Sequence, residues 1–311
     1  MISIGGNRMQ RMLTKLFKKD KIGEDKFFSF LFVTPTFLLY AAFIIVPILY
    51  SIYYSMTKWD GVGAKKFIGL NNFKSLIENP DYWLTFTNSL QVIVLSLIIQ
   101  IPLGLFFAYL VYNTRKGFKF FRSVIFLPVV IAPAAVGLMF LLFFNGELGP
   151  LNKLFSDLGL PFLERNWLSD SKTVLYAVMF PMIWQYIGFY FVIFLAGLQS
   201  IPEQIFESAK MDGASSIAVF FKLVVPILRD IIQVCIILCV TGSLKAFDHP
   251  YIMTWGGPGV RSSYLAVYMF RTAFTENLLG EGTAIAITIL AFALVFTYLF
   301  NRFFTKEPIQ Y

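Results

Sequence analysis

The polar segment at positions 200–226 carries residue types suited to docking against another protein, and it lies between two long apolar runs. Ser200 and Glu203 have the spacing of a capping box, in which two side chains satisfy free N–H groups at the start of a helix. Asp212 and Gly213 can supply the left-handed turn that ends this helix. The spacing therefore predicts a helix–glycine–helix segment, which we call the elbow.

The two helices of the elbow have recognisable limits. The first is expected to run to about Met211, and Ser215 or Ser216 can cap the second. Small side chains permit the elbow to approach the groove of a partner closely. These small residues are Ser208, Ala209 and Ala214.

Hydroxyl, amide and aromatic side chains recur inside the apolar runs, whereas charged side chains occur at their ends. Such groups suit an uncharged, polyhydroxylated ligand, although each can equally serve in an interhelical hydrogen bond. Lys245 and Asp248, at the end of the fifth run, can pair, line the mouth of a cavity or contact water. The neutral groups are Asn88, Gln91, Gln100, Trp184, Gln185, Tyr186, Tyr190, Thr241 and Ser243.

Motifs for covalent chemistry are absent from the sequence. It has no glycine-rich phosphate loop ending in Lys-Ser or Lys-Thr, no His-Glu-x-x-His motif and no nucleophile elbow. The single histidine, His249, is expected to be an ordinary loop residue, and Cys235 and Cys239 are expected to be packing residues. The chain is therefore predicted not to be an enzyme and to bind no cofactor of its own.

The composition is that of a membrane protein, with 57% hydrophobic and 14% charged residues. Average soluble domains carry about 25% charged residues. Six runs are long enough to cross a hydrocarbon core, which takes about 20 helical residues. Because the alternation expected of a membrane β-barrel is missing, we predict an all-α protein. Its six transmembrane helices are expected near positions 27–50, 84–112, 121–144, 174–198, 220–240 and 283–303.

The net charge of +8 comes from Lys and Arg residues that flank the spans, so the charge does not indicate binding to nucleic acid. These residues concentrate in an N-terminal arm (1–26), in the connection after the second span, in the elbow and in the tail (305–311). By the positive-inside rule these parts are cytoplasmic, and the arm also contacts anionic membrane lipid. One transmembrane domain, 27–304, is thus predicted in a cell membrane.

The elbow resembles the signature of permease subunits of binding-protein-dependent ABC importers. That signature is Glu-Ala-Ala, three residues, Gly, nine residues and Ile-x-Leu-Pro, and positions 207–226 reproduce its spacing without a gap. Ser208 replaces the first alanine, and Leu223 and Val225 replace isoleucine and leucine. Other segments are similar to the carbohydrate-uptake branch of maltose-type and glycerol-phosphate-type permeases, namely 67–73, 126–128, 196–202, 211–214 and 247–258.

The resemblance implies a type I ABC importer permease fold, in which the elbow is a cytoplasmic coupling helix. Glu207 and Asp212 would meet polar groups of an ATPase subunit, and Gly213 would set the bend. The implied partners are two cytoplasmic ATPase subunits that carry ATP and Mg, a second permease chain that is as a rule a different polypeptide, and an extracellular solute-binding protein. The implied cargo is a sugar or an oligosaccharide.

The resemblance also implies that cargo is contacted by the fourth span and by the end of the fifth. Three other functions fit parts of the sequence: import of glycerol phosphate or another polar solute by the same architecture, ion-driven secondary transport, and a purely structural membrane subunit. The spans are nearly free of ionisable side chains, which disfavours the ion-driven carrier. The prolines in the spans, together with the elbow, disfavour the structural role. The expected cargo-facing residues are Gln185, Tyr186, Phe189, Tyr190, Cys239, Ser243 and Lys245.

Overall fold

The computed structural model describes residues 30, 32–114 and 116–304. The predicted N-terminal arm and tail lie outside the described residues. The chain divides into two compact units between Tyr53 and Tyr54. The first unit contains most of α1 (Phe32–Ser55), which includes a π-helical turn at Ala41–Ile45 and is long and apolar enough to span a membrane.

The second unit combines one short hairpin with a series of helices. Strands β1 (Thr57–Lys58) and β2 (Lys66–Phe67) pair antiparallel. In the turn between them, the carboxylate of Asp60 accepts hydrogen bonds from the backbone N–H groups of Gly63 and Val62, which lower the pKa of that carboxyl. The helices are α2 (Asn71–Glu78), α3 (Pro80–Tyr112), α4 (Phe118–Val130), α5 (Pro133–Phe143), α6 (Pro150–Asp157), a 3-10 turn (Pro161–Leu163), α7 (Val174–Gln199), α8 (Glu203–Met211), α9 (Ser216–Ile227, with a π-helical turn at Phe220–Val224), α10 (Arg229–Leu244), α11 (Asp248–Thr254), α12 (Leu265–Phe270, followed by a π-helical turn at Arg271–Thr275) and α13 (Leu279–Phe304).

Helices α3, α7 and α13 contain the spans predicted at 84–112, 174–198 and 283–303. The first span, predicted at 27–50, continues five residues farther to Ser55, and the first residues of the predicted range lie outside the described residues. These helices were predictable because each is a long apolar run that can satisfy its backbone hydrogen bonds within itself.

The third predicted span, at 121–144, is not one straight helix. It consists of α4 and α5, which are bent by 89° at a break formed by Ile131 and Ala132. Pro133 explains the break, because proline disfavours the helical conformation in the residue before it. In the described part of the chain there are five candidate spans, or up to six if the bent pair counts as one.

The limits predicted for the fifth span, 220–240, are wrong. The apolar run is divided at Leu228 between α9 and α10, and the segment long enough to cross a membrane is Arg229–Thr254. Pro226 accounts for the interruption because it lacks an N–H donor, and the turn before it is π-helical. The elbow therefore extends farther along the chain, and the span starts later.

Helices α3 and α7 form the centre of the packed interior. Gly104 of α3 allows close approach, because a Cβ atom there would lie 2.9 Å from the Cβ of Tyr190. Phe191 of α7 is completely buried at this contact. The amide nitrogen of Gln100 donates to two backbone carbonyl oxygens of α7, and its amide oxygen accepts a hydrogen bond from Cys239 of α10. Three helices therefore meet around Gln100.

The packing gives the second unit two distinct ends. At the elbow end, α3, α7 and α13 terminate and α10 begins. Arg229 and Gln233 of α10 both donate to the carbonyl oxygen of Phe304, at 3.0 and 2.6 Å. This arrangement fixes the last turn of α13 beside the first turns of α10. The hairpin, α2, α6 and α12 lie toward the opposite end.

Candidate functional site

The elbow has the predicted helix–glycine–helix form. Gly213 follows α8 with a left-handed φ of +73°, and Ser215 caps α9 by accepting from the N–H of Ala218 at 3.3 Å. The N–H of Ala214 donates to the carbonyl oxygen of Ala209 at 3.0 Å, which closes the end of α8. A side chain at position 213 would meet no atom within 4 Å. Glycine is therefore required for its backbone conformation rather than for space.

The predicted capping box at the start of the elbow is wrong. The hydroxyl of Ser200 donates to the carbonyl oxygen of Gly197 at 2.7 Å and so satisfies the end of α7. Helix α7 continues to Gln199, which places Ser200 at the C-terminus of that helix. Pro202 occupies the cap position of α8, and its side chain has no acceptor to offer.

The elbow is anchored to α3 by aromatic contacts and one hydrogen bond. Phe206 is buried, and its ring centroid lies 5.3 Å from that of Tyr112. The hydroxyl of Tyr109 donates to the carbonyl oxygen of Ser216 at 3.1 Å, and its ring lies 5.1 Å from that of Phe220. Both tyrosines belong to the last turns of α3, so the elbow is attached to the helix at the centre of the packing.

The other side of the elbow is free of the rest of the described chain. Met211 is 88% exposed and Ile217 is 72% exposed. Within the ranges that the structure describes, neither Glu207 nor Asp212 forms an ion pair. This surface therefore offers unpaired charge, small residues and apolar groups to a partner. Its predicted docking residues are exposed or half-buried: Glu207, Ser208, Ala209, Asp212, Gly213 and Ala214.

A cavity of about 240 Å³ with both polar and apolar lining residues, here called the central cavity, lies between α3, α7, α10 and the start of α11. It brings together Tyr186, Tyr190, Cys239, Ser243 and Lys245 from the predicted cargo-facing set. Phe189, also from that set, lines an adjoining cavity of about 260 Å³ that shares both tyrosines and the lysine. The lining residues of the central cavity are Gln100, Met182, Tyr186, Tyr190, Cys239, Gly242, Ser243, Lys245, Ala246, Phe247, Asp248 and His249.

The thiol of Cys239 is hydrogen-bonded within the wall of the central cavity. It donates to the amide oxygen of Gln100 at 3.6 Å, and the amide nitrogen of Gln100 donates to two backbone carbonyl oxygens of α7. These bonds connect α3, α7 and α10 across the central cavity, so a movement of one helix changes the wall that the others form.

Gln185 is not among the residues that line either cavity. Its amide nitrogen donates to the carbonyl oxygens of Pro128 at 3.2 Å and Ile131 at 2.8 Å, at the break between α4 and α5. The side chain is 1% exposed, and its amide oxygen is buried without a hydrogen-bond partner among the described residues. The prediction that Gln185 faces cargo is therefore wrong. Its amide nitrogen donates instead to backbone carbonyl groups that the helix break leaves without helical partners.

Three polar residues that line the central cavity lie outside the predicted cargo-facing set, namely Gln100, Asp248 and His249. Gln100 was visible as an amide in an apolar run, and Asp248 as a charge at the end of one. The prediction of His249 as a loop residue is wrong, because it lies on α11 and is 3% exposed. No spacing in the sequence indicates that Gln100 meets Asp248 and His249, since it comes from a distant segment.

Known proteins share both the sequence pattern and the fold of this chain. Residues 100–306 match the sequence model of a family described as binding-protein-dependent transport system inner membrane component. The chain belongs to this family. The permease is 34% identical over 286 residues to the probable ABC transporter permease protein YurN of Bacillus subtilis. The aligned residues make up 91% of this chain and 98% of that relative. The permease is 32% identical over 267 residues to the multiple sugar-binding transport system permease protein MsmF of Streptococcus mutans, covering 85% and 91%.

The permease also has a similar fold to a solved bacterial alginate ABC transporter in complex with an alginate pentasaccharide-bound periplasmic protein. The TM-score is 0.80 at 20% identity, over 91% of this chain and 95% of that chain. The type I importer permease fold and the non-catalytic transport role predicted from the sequence are confirmed. The permease is thus a multi-pass membrane component of an ABC transporter.

Proposed function

We propose that this permease imports a sugar or an oligosaccharide with work supplied by ATPase subunits that bind the elbow. The construction of the elbow carries the proposal. One side exposes Glu207 and Asp212 without ion-pair partners in the described chain, and the other side is attached to α3 through Tyr109 and Tyr112. A surface with this arrangement can receive a partner's movement and pass it to the membrane helices.

A short chain of contacts connects the elbow to the central cavity. Ser216 and Phe206 contact the last turns of α3. Farther along the same helix, Gln100 bonds to α7 and to Cys239 of α10. Because α3 is one continuous helix, displacement of its elbow end as a rigid body shifts the wall of the cavity. This two-state movement is the proposed alternation between inward-open and outward-open forms.

The proposed cargo follows from the chemistry of the cavity and from one relative. MsmF is named as the permease of a multiple sugar-binding transport system. The central cavity presents phenol, hydroxyl and amide groups beside aromatic faces. Such groups donate to and accept from sugar hydroxyls, and the aromatic faces cover the apolar faces of sugar rings.

The proposed assembly has cytoplasmic ATPase subunits at the elbow end and a solute-binding protein at the opposite end. Two ATPase subunits hold ATP and Mg, so this chain needs no nucleotide site of its own. Since two ATPases require two elbows and this chain has one, a second and different permease chain completes the transporter. The termini are then cytoplasmic, which agrees with the positive charge that flanks the spans at that side.

The proposal is tested with sealed right-side-out vesicles from the source cells, loaded with ATP and given a panel of radiolabelled mono- and oligosaccharides. We expect uptake of at least one saccharide that persists after ionophores collapse the ion gradients and that stops with a non-hydrolysable ATP analogue. Vesicles from cells lacking this chain are the control and should show none of this uptake. Uptake that disappears with the ionophores would instead identify a carrier driven by an ion gradient.

A further inference from the structure

The walls of the two adjoining cavities carry two full charges, and these are of opposite sign. Lys245 lines both cavities, and Asp248 lines the central cavity. The remaining lining residues are uncharged apart from His249, which is 3% exposed and has a buried Nε2 atom without a hydrogen-bond partner among the described residues. An imidazole buried in this way adds no fixed charge, because burying an unpaired charge is costly. The formal charge of the wall is therefore balanced.

These two charges do not neutralise each other by direct contact. Lys245 directly follows α10, and Asp248 begins α11 three residues later. In the portion of the chain covered by the structure, no ion pair joins them, and both side chains are exposed. Asp248 and the phenol of Tyr186 line the same cavity. An ammonium group and a carboxylate are thus both available at the rim of the central cavity.

We propose that Lys245 and Asp248 together determine cargo specificity by selecting an uncharged saccharide over acidic and basic ones. This inference rests on the proposed import of saccharides. The ammonium group donates to sugar hydroxyl oxygens, and the carboxylate accepts from neighbouring hydroxyls, so an uncharged polyol uses both groups. A uronate is attracted to Lys245 and repelled by Asp248, and an amino sugar experiences the reverse.

The repulsive member of the pair is what makes the selection effective. Specificity is a difference between two affinities, and a like charge near the ligand lowers the affinity for the wrong ligand without affecting the right one. A charged sugar entering the cavity also loses water, and no unopposed counter-charge on this wall replaces that water. The expected preference for the uncharged cargo is about tenfold or more, since unit charges about 4–6 Å apart interact more strongly in a partly dehydrated cavity than in bulk water.

The experiment uses the assembled transporter, purified with its partner subunits through a tag on this chain and placed in lipid nanodiscs. Calorimetry measures its affinity for three probes of equal length: maltotriose, which is uncharged, trigalacturonate, which is anionic, and the trimer of glucosamine, which is cationic. The wild type should bind maltotriose at least tenfold more tightly than either charged probe. Asp248→Asn leaves Lys245 unopposed and should shift the affinity ratio toward trigalacturonate by about tenfold. Lys245→Gln should shift the ratio toward the cationic trimer.

Matched controls separate the effect of the cavity from the effect of overall charge. Lys66→Gln and Asp157→Asn make the same chemical changes at exposed positions that do not line either cavity, and they should leave the affinity ratios unchanged. Exchanging the pair, as Lys245→Asp with Asp248→Lys, keeps the charges balanced and should keep the preference for maltotriose. If the two residues had a purely structural role, exchanging them would not be expected to keep the preference for maltotriose.

Several results would overturn the inference. They are trigalacturonate binding to the wild type as tightly as maltotriose, an unchanged ratio in Asp248→Asn, or no binding of any probe to the wild type. The vesicle assay reports ATP-driven import whatever the charge of the cargo. Import of saccharides with a preference for uronates would therefore overturn this inference and leave the proposed function in place.

Discussion

The amide nitrogen of Gln185 lies 2.8 Å from the carbonyl oxygen of Ile131, at the point where α4 and α5 bend by 89°. The bend leaves backbone carbonyl groups without helical partners, and an unsatisfied carbonyl inside a membrane protein is costly. The side chain of Gln185, on α7, therefore stabilises the bend between α4 and α5. This relationship makes Gln185 a structural residue next to the central cavity.

We predict that Gln185→Leu destabilises the assembled permease by about 1–3 kcal/mol, because two carbonyl groups lose their donor. The midpoint of thermal unfolding in nanodiscs measures the effect. Gln204→Leu, on the exposed surface of α8, makes the same chemical change without removing a donor from the break and should leave the midpoint unchanged. Equal stability of Gln185→Leu and wild type would show that the hydrogen bonds do not hold the bend.

Gly213→Ala should reduce ATP-driven uptake strongly, because alanine in the left-handed conformation costs about 1–2 kcal/mol and shifts the bend of the elbow. Gly159 provides a matched control in the connection after α6, since it has a φ of +72° and a Cβ atom there would meet nothing within 4 Å. Gly159→Ala carries the same local strain and should retain uptake. If both variants transported equally well, the bend at Gly213 would have no role in coupling.

Phe206→Ala should uncouple ATP hydrolysis from transport. The substitution removes the ring that contacts Tyr112, and truncation of a buried phenylalanine costs about 3–5 kcal/mol. We expect the purified complex to keep its basal ATPase activity while the number of saccharide molecules imported per ATP falls. Phe162→Ala, at a side chain that is 73% exposed, is the control. An unchanged ratio of import to hydrolysis in Phe206→Ala would contradict the proposed path through α3.

Glu207→Lys should weaken binding of the ATPase subunits, because it reverses a charge on the free side of the elbow. Co-purification of the ATPases with this chain measures the effect, which should increase when the salt concentration is lowered and screening decreases. Glu147→Lys reverses an exposed charge in the connection between α5 and α6 and should leave co-purification intact. The docking assignment would fail if the two variants retained the ATPases equally.

Local sequence chemistry was sufficient for the elbow but not for its first turn. Gly213 could be assigned because an Asp-Gly pair after a polar helix specifies a left-handed turn by itself. The role of Ser200 depended on where α7 ends, and α7 continues to Gln199, with Gly197 and Leu198 of its last turn buried. The division of the fifth run at Leu228 is marked in the sequence by Pro226 and by the charged residues Arg229 and Asp230, but only the structure shows that the helix ends there.

The sequence by itself determined that the chain is an all-α membrane protein, that a helix–glycine–helix elbow is centred on Gly213, and that the chain is a transport component rather than a catalyst. Those properties depend on composition and on contacts between near neighbours in the chain. The tertiary structure decided that Gln185 supports a bent helix pair, and that Gln100, Tyr186 and Asp248 share one cavity. These residues come from α3, α7 and α11. Only the packing of the helices brings them together, because the hydrophobic pattern that places a helix in a membrane does not specify which faces meet.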